Sequence, residues 1–208
     1  MALVFLLVLG GCDAAISDRP MFTQTDTVGA PKFKDGVWAP VDQDDCQVDK
    51  EKRVSQWPDC AEWAYFKDGH LFERRDKNGI ELKPVSQSYL IVGGTPAMVQ
   101  IEHSPVESED GVTFSFWALD HGAVGQSELR VVELWQVLCG RRDDVPDGKE
   151  SEAADEATPM FGDLIRFPGF NEKCRPDSVA SLRTAALASR TLPPENPIRL
   201  EWVRAKLD

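Results

Sequence analysis

Apolar residues in this chain come in short runs separated by turn-forming pairs, and that punctuation restricts it to a fold of short antiparallel strands. Asp68-Gly69 offers the positive φ angles of a tight turn within Glu62 to Arg75, which reads as a hairpin. Asp76-Lys77-Asn78-Gly79 reads as the next turn, leading to a strand from Ile80 toward Lys83. Gly93-Gly94-Thr95-Pro96 separates Ser88 to Val92 from Ala97 to His103 and predicts a second hairpin. In the latter strand Ala97, Val99 and Ile101 alternate with Met98, Gln100 and Glu102, the period of a half-buried strand. Gly111 to Leu119 sets Val112, Phe114, Phe116 and Ala118 on one face, and Glu128 to Leu138 is apolar on both faces, as a central strand is. Phe33 to Ala39, Phe161 to Phe167 and Ile198 to Arg204 read as further strands. One late helix is expected, capped by Asp177 or Ser178 and running to Arg190, with Val179, Leu182 and Ala186 on one side and Pro193-Pro194 behind it. The fold class is therefore mainly β (α+β). We expect an antiparallel meander, closed or half-closed as a barrel, with one helix in the C-terminal region followed by a last strand.

The amino-terminal segment carries a different message. From Ala2 to Leu9 every residue is apolar, far short of the roughly 20 needed to span a bilayer. Such a run suits the core of an export signal. It ends in Leu9-Gly10-Gly11-Cys12, which resembles the lipobox of bacterial lipoproteins. The resemblance covers four residues at the depth where that motif belongs. It implies that residues 1–11 are a signal peptide, cut off before Cys12. It also implies that Cys12 takes a diacylglyceryl group and an acyl chain and becomes the membrane anchor. Only Met1 precedes the apolar run, where such signals usually carry Lys or Arg. An ordinary signal peptide, or a buried strand ending in Cys, would also use these residues; the polar stretch behind them favours the lipoprotein. Residues 12–31 show no helical or strand period and read as the lipidated cysteine and a flexible tether. Residues 32–208 then form a single β-rich domain, with an acidic insertion at 141–158 expected to be mobile.

Charge and cysteines narrow the partners. The chain has 208 residues and a net charge of −12. That sum argues against nucleic acid, whose phosphates need clustered Lys and Arg, and against close contact with an anionic lipid surface. Cys46, Cys60, Cys139 and Cys174 make an even set in an exported chain and predict disulfides. Cys46 with Cys60 and Cys139 with Cys174 is the favoured pairing, because each bond joins neighbouring segments. The first would contribute about 3 kcal/mol by shrinking the unfolded ensemble. A metal site is the rival, but there is no C-x-x-C and the histidines lie elsewhere.

Templates for catalysis mostly fail. There is no G-x-G-x-x-G and no P-loop. Gly125-Gln126-Ser127-Glu128-Leu129 approaches a nucleophile elbow, but leucine replaces its last glycine. Loops starting at Asp42 and Asp143 lack the ligand spacing of an EF-hand. No cofactor or metal is expected. Glu133 stands out in an otherwise apolar strand, where burial would raise its pKa and fit it for ligand binding or acid chemistry. A mate for an arginine is the plainer reading. Trp38, Trp63, Trp117 and Trp135 all fall in expected strands. They either fill the core or line a cavity for an apolar ligand. Gly36-Val37-Trp38 is similar to the G-x-W of lipocalin and avidin-like barrels, and implies a first strand of that type.

The expected function is thus a lipid-anchored component of the bacterial envelope, facing the periplasm or cell surface, with a non-enzymatic binding or assembly domain. Trp38, Trp117, Trp135 and Glu133 are the candidate ligand-binding residues. The membrane, an apolar small molecule and an envelope protein are the candidate partners. An extracytoplasmic hydrolase using Glu102, Glu133 or His121 is the alternative.

Overall fold

A computed structural model describes residues 13–42, 46–74, 82–85, 88–103, 111–121, 128–142, 164–192 and 197–207. The strands are β1 (Ile16–Ser17), β2 (Lys32–Phe33), β3 (Gly36–Pro40), β4 (Ala64–Lys67), β5 (His70–Arg74), β6 (Leu82–Pro84) and β7 (Ser88–Val92). They continue with β8 (Ala97–His103), β9 (Thr113–Asp120), β10 (Glu128–Leu129), β11 (Val131–Gln136), β12 (Gly140–Arg142), β13 (Leu164–Arg166) and β14 (Ile198–Arg204). The helix α1 (Val179–Ser189) precedes β14. The main sheet runs β6-β5-β4-β3-β14-β11-β9-β8-β7 with antiparallel neighbours, and β1 adds to β9. The chain is therefore mainly β, as its punctuation predicts.

Connectivity forces the sheet to curl. β6 and β7 lie at opposite edges, yet only residues 85–87 separate them, a reach of about 14 Å. Side chains bridge the remaining gap. The Tyr89 hydroxyl donates to the Gly69 carbonyl at 2.6 Å, and the Tyr89 and Phe66 rings meet edge to face at 6.5 Å. The result is a half-barrel whose seam is closed by side chains.

Local chemistry shapes the elements as expected in several places. Asp68 and Gly69 both take positive φ in the β4–β5 turn. The Ser178 hydroxyl caps α1 by accepting from the Ser181 amide. Gly36 has a φ of 135°, and a Cβ there would lie 2.1 Å from the Arg204 carbonyl oxygen. Only glycine lets β3 approach the end of β14 so closely.

Alternation along each strand divides the core. Inside the curl, Trp38, Phe66, Val99, Ile101, Trp117, Leu119, Val132 and Leu200 pack together. On the outer face, Met98, Phe114, Phe116, Ala118, Trp135 and Val137 meet Leu182, Ala185 and Ala186 of α1. A third cluster joins Val37, Ala39 and Trp63 to Val54 and Trp57 of the 46–60 loop, which the Cys46–Cys60 disulfide closes. The half-buried reading of β8 needs correction: Met98 and Gln100 are buried as well. A second layer covers the outer face, so β8 is shielded on both sides.

The expected tether is not loose. Ala14 and Ala15 are buried, Ile16–Ser17 pairs with β9, and Phe22 is 3% exposed in the outer cluster. Order thus extends back to Asp13 rather than starting at Lys32. Residues 13–22 are received by backbone groups of Val137, Cys139 and Cys174 and by the Gln100 side chain, none of which their own period announces. Of the 141–158 insertion, residues 141–142 belong to β12, and 143–158 lie outside the described residues, as does the Asp76–Gly79 turn.

Candidate functional site

The most elaborate local arrangement lies at the end of the sheet where the chain enters. The Asp13 carbonyl accepts from the Cys139 amide at 2.7 Å, the Ala15 amide donates to Val137, and the Ile16 amide donates to Cys174. The Cys139–Cys174 disulfide ties the exit of β11 to the loop before α1. Both cystines thus follow the pairing that joins neighbouring segments. Deeper in, the Gln100 side chain reads the backbone of the incoming segment. Its Oε1 accepts from the Met21 and Phe22 amides at 2.7 and 3.0 Å, and its Nε2 donates to the Phe22 carbonyl at 3.1 Å. Arg183 lies over the Phe22 ring and donates to the Gly93 and Pro96 carbonyls. The segment after Cys12 is thereby clamped from two directions.

The four candidate ligand-binding residues do not converge. Trp38 and Trp117 lie inside the curl. Trp135 lies on the outer face under α1 and donates from Nε1 to the Ala186 carbonyl at 2.7 Å. Register explains the split: Gln136 stands opposite Trp117, so Trp135 and Glu133 face the other way, opposite Ala118 and Asp120. Trp38 is 1% exposed, donates to the Lys34 carbonyl and packs edge-on against Phe33 and Phe66. These are the marks of core packing. Trp117 differs, because its buried Nε1 meets no hydrogen-bond partner among the described residues.

Glu133 has the arginine mate that the plainer reading supplies. Arg190 bonds Glu133 at 2.5 Å and Asp120 at 2.9 Å, and its guanidinium lies 5.1 Å from the Trp135 ring centroid. The bond to Glu133 is the main cause holding Arg190 more firmly protonated than usual. The hydrolase residues are scattered too. Glu102 pairs across from Phe114, near the start of β9, whereas His121 follows the end of β9. Strand rise puts them roughly 20 Å apart. Among the described residues, no three His, Cys, Asp or Glu side chains are placed to hold a metal ion.

One pairing escaped the sequence. His103 Nε2 and Ser115 Oγ lie 2.7 Å apart, inside the sheet end near β1. Burial lowers the His103 pKa, favouring the neutral imidazole that can accept a proton. Neither residue belongs to a local motif, and only the diagonal register of β8 on β9 brings them together. No protein-family model, curated protein or solved structure matches this chain.

Proposed function

We propose that the protein is a lipid-anchored component of the bacterial envelope whose half-barrel binds a partner instead of catalysing a reaction. The observation that carries this reading is the position of Cys12. It ends a lipobox-like run and stands one residue before a disulfide-bonded domain that is packed from Asp13 onward. Two cystines favour an oxidising compartment outside the cytoplasm. Dispersal of Glu102, Glu133 and His121 favours binding over acid–base chemistry. Candidate partners are an envelope protein or an apolar molecule whose acceptor satisfies Trp117 Nε1.

Full-length chain expressed in a bacterium tests the anchor. The mature protein should begin at Cys12, carry the mass of its acyl chains and sediment with membranes, and Cys12→Ser should abolish all three. A mature chain starting elsewhere, without lipid, refutes the proposal.

A hydrolase remains the second reading, supported by the His103–Ser115 contact. A fluorophosphonate probe that labels the wild type at Ser115 and spares Ser115→Ala would establish it. Absence of labelling on folded protein would remove it.

A further inference from the structure

We propose that the anchor holds one defined face of the domain against the lipid headgroups: the face made by residues 13–19, 139–142 and 164–175. This inference rests on Cys12 being the lipidated residue. Asp13 follows Cys12 directly, and its carbonyl is already bonded to the Cys139 amide. Adjacent Cα atoms are 3.8 Å apart, so the anchor has almost no slack. A flexible tether of twenty residues would have allowed an excursion of about 25 Å. Here Ala14 is 5% and Ala15 0% exposed, and releasing them would break the bonds of Asp13 to Cys139 and of Ala15 to Val137.

The face is one structural unit. The Phe167 amide donates to the Cys139 carbonyl, the Ile16 amide donates to Cys174, and Arg175 pairs with Asp18 at 2.7 Å. β12 pairs with β13, and the Cys139–Cys174 bond links both sides. Its charge differs from that of the chain. These three segments hold Arg19, Arg141, Arg142, Arg166, Lys173 and Arg175 against Asp13, Asp18 and Glu172, although the whole chain carries −12. Arg19, Arg141, Arg166 and Lys173 are exposed, and Ile165 is an exposed apolar side chain among them. Cations near an anionic leaflet are worth about 1 kcal/mol each. Counted over these three described segments alone, the basic side chains outnumber the acidic ones six to three.

Amine acylation in vesicles tests the proposal. Full-length lipidated protein is reconstituted in phosphatidylethanolamine–phosphatidylglycerol vesicles, beside a variant with a Gly/Ser spacer of about twelve residues, a reach of roughly 20 Å, inserted between Cys12 and Asp13. Both are treated with a water-soluble acetylating ester and mapped by peptide mass spectrometry. Lys173 should react several-fold more slowly in the native protein than in the spacer variant. Lys67, at the β4–β5 turn far from the anchor, should react equally in both. Equal rates at Lys173 in two lipidated proteins overturn this inference and leave the lipoprotein reading intact. An intact mass without lipid overturns both.

Discussion

Phe22→Ala separates a packed amino-terminal segment from a tether. Phe22 is 3% exposed, touches Phe116 edge to face at 6.5 Å and lies under Arg183. A buried phenylalanine covers about 150–250 Å², and at about 25 cal/mol per Å² its removal from water stabilises by roughly 4–6 kcal/mol. Measured losses for Phe→Ala in cores run about 3–5 kcal/mol, and we expect a value in that range. Gln100 and Arg183 hold the backbone from both sides, so the site cannot collapse readily onto the void. For a domain of this size that is a fall of roughly 6–20 °C in Tm. Urea unfolding of oxidised residues 13–208, followed by tryptophan fluorescence, should show a lower midpoint at unchanged slope. Val28→Ala is the control: Val28 is 86% exposed and should change stability by less than about 0.5 kcal/mol. A Phe22→Ala loss below about 1 kcal/mol would mean the segment is dispensable and would refute the packing argument.

Other perturbations probe the same framework. Gln100→Leu strands the Met21 and Phe22 amides and should cost about 2–4 kcal/mol, with faster hydrogen exchange at those two amides as the direct readout. Burial raises the Tyr89 pKa from 10.0 to about 12. The unfolded chain loses that proton first, so this contribution is full below pH 10 and disappears as pH rises toward 12. The loss is about 2–3 kcal/mol, and Tyr89→Phe should flatten that part of the alkaline stability profile. Arg190→Met leaves Glu133 and Asp120 facing each other across β11 and β9. Because Arg190 is 41% exposed, the expected cost is only about 1 kcal/mol. It should be larger in low salt, as denaturation at two ionic strengths will show.

Features set by neighbouring residues are legible in the sequence. Asp68-Gly69 makes its turn because both residues tolerate positive φ, and Ser178 caps its helix because its own hydroxyl reaches the Ser181 amide. The Cys46–Cys60 pair lies 14 positions apart, close enough for its loop to be foreseen. The candidate site is less legible. Glu133 and Trp135 look like companions of Trp117 along the chain, yet β11 aligns on β9 with Gln136 opposite Trp117, and that alignment sends both residues to the outer face. A shift of one residue would have reversed the assignment. Nothing near Glu133 announces Arg190, which lies 57 positions away.

The sequence by itself pointed to the helix, most of the strands and the Asp68-Gly69 turn, favoured the disulfide pairing that forms, and marked Cys12 as the expected anchor. The helix, strands and turn depend on side-chain period and backbone freedom, which act over a few residues, and the cystine pairing on the order of the cysteines along the chain. Tertiary structure alone decided that residues 13–22 are a seated segment, paired at Ile16–Ser17, and not a tether. The groups that seat them are Gln100, 78 and 79 positions onward, and the backbone around Cys139 and Cys174. A short segment without a regular apolar period takes a place in a core only when distant donors and acceptors are waiting for its backbone. That match exists only once the sheet has curled.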